Sequence, residues 1–208
     1  MFMSLLKKVL GIFFFLLAIC TNSFALIEID ITEGNREPLP IAITNFFYDD
    51  ERSKDLDQVS IDISKVISAD LERSGLFRSI DQEAFIQKTA SMHIRPRYED
   101  WRLIKAQALV TGKLLVKDGK LKVEFRLWDL TAAKEMTALA FTTTPSNWRR
   151  VAHIISDKIY ERLTGEEGYF DTRIIYVSEE GPKTQRIKKL AIMDQDGANN
   201  KFITLANE

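Results

Sequence analysis

Two segments near the middle of the chain, 108–117 and 120–130, are separated only by Asp118 and Gly119. An Asp-Gly pair is typical of a type I′ turn, in which both central residues take positive φ. Along the second segment, every other residue is apolar: Leu121, Val123, Phe125 and Leu127. We therefore predict a hairpin with one apolar face, which needs a layer packed against it. Trp128 interrupts the polar face of the second strand, and its side chain is expected to be covered by another part of the protein.

Two long segments, 58–74 and 146–164, have the spacing of amphipathic helices. The apolar stripe of the first is Val59, Ile63, Val66, Ile67 and Leu71, and that of the second is Val151, Ile154, Ile155, Ile159 and Leu163. Gly75 and Gly165 follow the two segments and are typical helix ends. Ser146 is the predicted N-cap of the second helix.

The remaining segments complete a layered domain. Residues 40–47, 76–80 and 135–144 are predicted strands, and 98–107 is a shorter helix. The order of strands and helices predicts an α/β or α+β domain over residues 26–165, with two long helices and one short helix on a mixed sheet.

A further β segment follows this domain, in residues 166–208. Strands are predicted at 173–178, 189–194 and 201–205, with Asp196-Gly197 as a turn between the last two. The run 194–197 is similar to the start of a calcium loop, but it lacks the later ligands and the closing Glu. A hairpin turn is therefore the preferred interpretation.

The first 25 residues have the pattern of a secretory signal peptide. Lys7 and Lys8 precede an apolar segment, 9–20, that is too short to span a bilayer as a helix. Ser23-Phe24-Ala25 has the small-x-small pattern of a cleavage site, which predicts processing between Ala25 and Leu26 and location in the periplasm. The only Cys is Cys20, so the processed chain is expected to contain no disulfide or thiolate site.

An alternating segment follows directly after the predicted cleavage site. Its residues are Leu26, Ile27, Glu28, Ile29, Asp30, Ile31 and Thr32, with the three isoleucines on one side. One interpretation is an edge strand of the domain. The other is a free arm that a partner captures by strand addition, which supplies main-chain hydrogen bonds. The pattern alone leaves both interpretations open.

We find no residue pattern for catalysis, metal binding or a cofactor. The two histidines, His93 and His153, have no second His at ligand spacing. Phosphate-binding loops, dinucleotide fingerprints and nucleophile elbows do not occur in the sequence. Arg149 and Arg150 are interpreted as part of a solvated helix face. The net charge of −1 argues against a nucleic-acid partner. We therefore predict a protein that is not an enzyme.

Several segments, in order, resemble the TolB family of the periplasmic Tol-Pal system. The most specific is 158–177, which is similar to the domain junction of that family. The other segments that carry the resemblance are 69–77, 109–113, 127–130 and 190–199.

The resemblance implies an α/β N-terminal domain followed by a six-bladed β-propeller. It implies a non-enzymatic bridge between the inner-membrane Tol proteins and the outer-membrane lipoprotein Pal, which maintains outer-membrane integrity and assists envelope constriction during cell division. In the family, the first residues of the mature protein contact TolA. The resemblance therefore favours the arm interpretation for Leu26–Thr32.

The chain differs from the family pattern at its C-terminal side, because family members continue through further blades. We expect residues 166–208 to form an incomplete first blade, with Pal binding doubtful because most Pal contacts belong to the propeller. The alternatives are a periplasmic ligand-binding or hydrolase domain with an unrecognised site, or a non-functional fragment. A polar pocket holding His93 or His153 beside a carboxylate would favour the hydrolase.

Overall fold

The structure, a computed structural model, describes residues 37–48, 55–87 and 95–204. The elements of the first part are, in chain order, β1 (Leu39–Ile43), α1 (Asp55–Arg73), β2 (Phe77–Ser79), α2 (Tyr98–Leu103), β3 (Ala108–Lys117), β4 (Lys120–Asp129), β5 (Lys134–Thr143) and α3 (Trp148–Thr164). The second part contributes β6 (Arg173–Glu180), β7 (Ile187–Asp194) and β8 (Lys201–Phe202).

The first five strands form a mixed sheet in the order β2-β1-β3-β4-β5. β1 is parallel to both of its neighbours, and the strands from β3 to β5 are antiparallel. Parallel neighbours need a crossover connection, which α1 provides between β1 and β2. The predicted hairpin is confirmed: Lys117 pairs with Lys120, and both Asp118 and Gly119 have positive φ. The mixed sheet with two long helices and one short helix is the predicted fold class.

Helices α1 and α3 pack against one face of this sheet and against each other. The predicted stripes supply the contact, since Ile63, Ile67, Ile155 and Ile159 are all fully buried. The apolar face of β4 lies beneath them, where its four alternating side chains are also fully buried. Burying one such aliphatic side chain contributes about 1.5–3 kcal/mol, so these stripes fix how the helices sit on the sheet.

The opposite face of the sheet is covered in part by the connection that contains α2. Trp128 lies there in a second apolar cluster with Trp101 and Phe85, as predicted for a residue that breaks the polar face. The Trp128 indole Nε1–H donates to Thr111 Oγ1 at 3.0 Å. A buried indole needs such a partner, so this polar contact allows Trp128 to sit on an otherwise apolar surface.

Several predicted element boundaries were wrong, including those of β1, α2 and α3. β1 ends at Ile43, before Phe47, which makes only an isolated bridge to Lys113. α2 ends at Leu103, because Lys105 takes a left-handed φ of 60° and closes the helix. α3 begins at Trp148, since residues 145–147 form a 3-10 turn and the helix has no side-chain N-cap bond.

The strands β6, β7 and β8 form a separate antiparallel sheet in that order. Gly197, with φ 86°, lies in the turn between β7 and β8 that the Asp-Gly pair predicted. The described part of the third predicted strand is Lys201–Phe202. None of the helices within the described ranges is long and apolar enough to cross a bilayer.

Candidate functional site at the junction of the two sheets

The site residues predicted from the sequence are Ala25 at the cleavage site and the arm Leu26–Thr32. Both lie outside the described residues, as does His93. The function predicted for the arm and the cleavage between Ala25 and Leu26 therefore stay predictions. The described residues instead bring a group of buried polar side chains together where the second sheet meets α1 and α3.

The connection from α3 to β6 folds back against the helix that it leaves. Gly165 ends α3 in the left-handed conformation, as predicted, and donates its N–H to Glu161 O. The Asp157 carboxylate on α3 then accepts the backbone N–H groups of Phe170 at 2.6 Å and Asp171 at 3.1 Å. Two backbone donors on one carboxylate hold this connection close to the helix surface.

Gly168 is the residue that permits this close approach. A Cβ atom at this position would lie 2.4 Å from Asp157 Cα and 2.4 Å from Asp157 Oδ1. We expect Gly168→Ala to lower the free energy of unfolding by about 1–3 kcal/mol, the usual cost of overpacking. Urea unfolding monitored by circular dichroism measures the loss. The exposed neighbour Glu167 is the matched control, and an equal loss in Glu167→Ala would contradict the explanation by close approach.

His153 on α3 and Asp70 on α1 form the centre of the polar group. His153 is 2% exposed and Asp70 is 0% exposed. The His153 Nδ1–H donates to Asp70 Oδ2 at 2.7 Å, since a carboxylate can only accept. Asp70 Oδ1 also accepts from Gln195 Nε2 at 3.1 Å and from an Arg73 guanidinium N–H at 3.2 Å. One buried carboxylate thus joins both long helices to the turn between β7 and β8.

Asp196, in that same turn, lies on the other side of the imidazole. His153 Nε2 is 3.7 Å from Asp196 Oδ2, which is too long for a hydrogen bond. Asp196 also pairs with the guanidinium of Arg149 on α3, and its Oδ1 accepts the backbone N–H of Ala198 at 3.0 Å. The imidazole therefore lies between two carboxylates that come from different parts of the chain.

These surroundings shift two pKa values in opposite directions. Burial lowers the pKa of His153, but the hydrogen bond and charge of Asp70 and the charge of Asp196 outweigh it, so the pKa rises above 6.5. Burial raises the pKa of Asp196, but the Ala198 N–H and the Arg149 guanidinium outweigh it, so the pKa falls below 3.8. The arrangement thus favours an imidazolium next to an ionised Asp196.

A metal ion is a second possible occupant of this position. His153, Asp194 and Asp196 each place one ligand atom within 4.8 Å of the others. However, Asp196 already pairs with Arg149, and Asp194 accepts from Asn199 and lies 3.6 Å from the Arg173 guanidinium. Because the protein itself places cationic groups at both carboxylates, we assign the group as an ion-pair network.

The paired His153 and Asp70 also bear on the hydrolase alternative. A catalytic imidazole directs its second nitrogen toward a nucleophile or a substrate. Here Nε2 faces the Asp196 carboxylate, and the imidazole is almost fully buried. A neighbouring cleft of about 390 Å³ is lined by Arg173, Asp194 and residues near them, without His153. The arrangement does not have the geometry of a catalytic dyad.

The interpretation as a solvated face was correct for Arg150, whose side chain is exposed, and wrong for Arg149, which is half-buried and pairs with a buried carboxylate. Arg149 pairs with Asp196, and Arg150 pairs with Asp171 at 3.1 Å. The spacing of the polar residues in the sequence could have predicted a polar contact surface on α3. Arg149, His153 and Asp157 are four residues apart and therefore lie on one side of the helix. That side contacts the connection to β6 and the turn between β7 and β8.

Comparison with known proteins adds a family match. The family model described as the TolB amino-terminal domain matches residues 27–136. The Tol-Pal system protein TolB of Pelagibacter ubique (strain HTCC1062) is 59% identical over 210 residues, which cover 98% of this chain and 47% of that protein. This chain therefore spans about half the length of that curated relative.

A solved structure extends the similarity to the fold. The crystal structure of TolB from Acinetobacter baumannii has a TM-score of 0.66 and is 25% identical. The alignment covers 86% of this chain and 41% of that chain. The similarity therefore includes most of the elements described above.

Proposed function

Because the chain belongs to the TolB family, we propose that it serves as a component of the Tol-Pal system. The observation that carries the proposal is the 59% identity to a Tol-Pal system protein over nearly the whole chain. Family membership also agrees with the prediction that the protein is not an enzyme. Its role is then a binding role, bridging the inner-membrane Tol proteins and the outer-membrane lipoprotein Pal, for outer-membrane integrity and for envelope constriction during cell division.

The protein acts in the periplasm after export. The basic Lys7-Lys8 pair, the apolar segment 9–20 and the small residues Ser23 and Ala25 support removal of residues 1–25 as a signal peptide. The relative's membership of the Tol-Pal system supports the same compartment.

The contact with TolA is made by the arm Leu26–Thr32 through strand addition. Ile27, Ile29 and Ile31 would fill one side of the added strand, while its main chain pairs with a sheet edge of the partner. The binding energy then comes from backbone hydrogen bonds and three apolar side chains, so no preformed pocket is needed. The resemblance places most of the Pal contact in the propeller.

Capture of TolA tests the arm directly. We expect the chain recovered from the periplasm to retain purified TolA on a resin, and the same chain without Leu26–Thr32 to lose it. A finer variant replaces Ile27, Ile29 and Ile31 by glutamate, which removes the apolar side and leaves the length unchanged. This variant should also lose TolA, because charged side chains would have to be buried against the partner.

The matched control changes the other side of the strand, by Glu28→Gln and Asp30→Asn. Binding should persist in this control, because main-chain pairing and the isoleucines remain. Absence of TolA binding in the unchanged chain, or equal binding after the deletion, would contradict the proposed arm.

A further inference from the structure

We propose that His153 is a protonation-dependent latch that holds the second sheet against the two long helices of the N-terminal domain. The charged imidazolium joins Asp70 on α1 to Asp196 in the turn between β7 and β8, while the neutral imidazole can hold only one of them. The pH of the surroundings would then set how firmly the second sheet is attached.

The geometry supports a role for the imidazole between two carboxylates. Nδ1 already donates to Asp70 Oδ2 at 2.7 Å, so a neutral ring would present Nε2 as an acceptor toward Asp196. Nε2 is buried, has no hydrogen-bond partner, and lies 3.7 Å from Asp196 Oδ2. An acceptor facing a carboxylate is repulsive, whereas a protonated Nε2 is attractive and needs only a small approach to form the bond.

The charges around the ring decide which state is preferred. The charged groups that face it are Asp70 from α1, Arg149 from α3, and Asp194 and Asp196 from the end of β7 and the turn after it. Three carboxylates thus surround the ring, while Arg149 pairs with Asp196 and the partly exposed Arg73 pairs with Asp70. A third positive charge, on His153, brings this group closer to neutrality.

The sign of the pH effect follows from linkage. The pKa of His153 is raised above 6.5, so its contribution is fully present below pH 6.5 and is lost as the pH rises through the folded-state pKa. The pKa of Asp196 is lowered, so its contribution is present above pH 3.8 and is lost as the pH falls through the lower folded-state pKa. The second sheet is therefore held firmly against the two long helices in mildly acidic solution, and it is held less firmly once the pH exceeds the folded-state pKa of His153.

Histidine NMR measures the protonation directly, because the chain has only two histidines. The His93→Gln variant leaves a single imidazole signal, which should titrate above pH 6.5 and belongs to His153. In the same samples, hydrogen exchange of β6 and β7 should accelerate as this signal titrates, after correction for the intrinsic pH dependence. The hairpin of β3 and β4 serves as the internal reference and should show no step at that pH.

Two variants separate the latch from a general loss of structure. Asp196→Asn keeps the side-chain shape and should shift the His153 titration to lower pH while β3 and β4 stay protected. His153→Gln cannot be protonated and should remove the pH step in β6 and β7. A His153 titration at or below pH 6.5, or protection of β6 and β7 that does not change with pH, would overturn the proposal. Stabilisation of β6 and β7 by added Zn²⁺ or Ca²⁺ in place of the pH step would also overturn it, in favour of a metal site.

Discussion

Replacing Asp70 by asparagine is expected to lower the free energy of unfolding by about 3–5 kcal/mol, the usual cost of removing one partner from a buried ion pair. Asp70 is fully buried and accepts from His153, Arg73 and Gln195. Asparagine has nearly the same shape, so the loss would come from the missing charge and from an amide N–H that faces one of these donors. Urea unfolding followed by tryptophan fluorescence measures the change.

Glu72, two residues further along α1, provides the matched control. Its side chain is exposed and accepts the backbone N–H of Ser79, a role that the carbonyl oxygen of glutamine can keep. We expect Glu72→Gln to change stability by no more than about 0.5 kcal/mol. Equal losses in the two variants would show that the charge on α1 matters generally and that the buried position of Asp70 does not. In the Asp70→Asn variant, His153 should also titrate at a lower pH than in the unchanged chain, because Asp70 raises the pKa of His153.

Phe170→Ala is the second substitution with a large expected effect, again about 3–5 kcal/mol. Phe170 is fully buried in the main core, although it belongs to the connection that follows α3. Its ring lies 5.8 Å from the ring of Tyr160 on α3, in an edge-to-face arrangement. Removing the ring leaves a cavity at the point where the second sheet is joined to the first domain. We therefore expect faster hydrogen exchange in β6 as well as lower stability.

Tyr169 is the natural comparison, because its ring lies 4.6 Å from that of Phe170 but is 44% exposed. Truncation of an exposed ring removes less buried surface, so Tyr169→Ala should cost about 1 kcal/mol. If Phe170→Ala were no more destabilising than Tyr169→Ala, the connection would not be anchored in the core as described. Urea unfolding of both variants under the same conditions makes this comparison.

The sequence was sufficient to predict those features of the fold that depend on local turn residues or on the period of the apolar residues. The alternation of Leu121, Val123 and Phe125 predicted which face of β4 is buried, and the Asp118-Gly119 turn predicted the register of the hairpin. The period of the apolar residues gave both long helices, with their ends wrong by a few residues. α1 begins at Asp55, before the predicted start, and α3 begins after Ser146.

Boundaries depend on backbone contacts that the sequence pattern does not contain. The predicted strand 40–47 stops at Ile43, since the chain then leaves the regular ladder: Thr44 and Phe47 bond to β3 at separate positions, and the Phe46 N–H donates to Ser60 O on α1. Phe46 lies beyond the end of β1 but is still buried, with 1% of its surface exposed. Burial alone does not distinguish a strand from a buried connection, so the length of β1 could not be predicted.

The sequence by itself was enough to predict the α/β class and the resemblance to the TolB family, while the signal peptide and the arm Leu26–Thr32 stay predictions. Only the tertiary structure decided that Asp70, His153 and Asp196 meet. Asp70 and His153 are 83 residues apart in the chain, and Gln195 reaches Asp70 across 125 residues. Each looks like an ordinary polar position on a helix or in a turn, because hydrophobic periodicity reports which side of an element is buried. Which charges become neighbours is set by how the helices and the second sheet pack, and that packing fixes the pKa of His153.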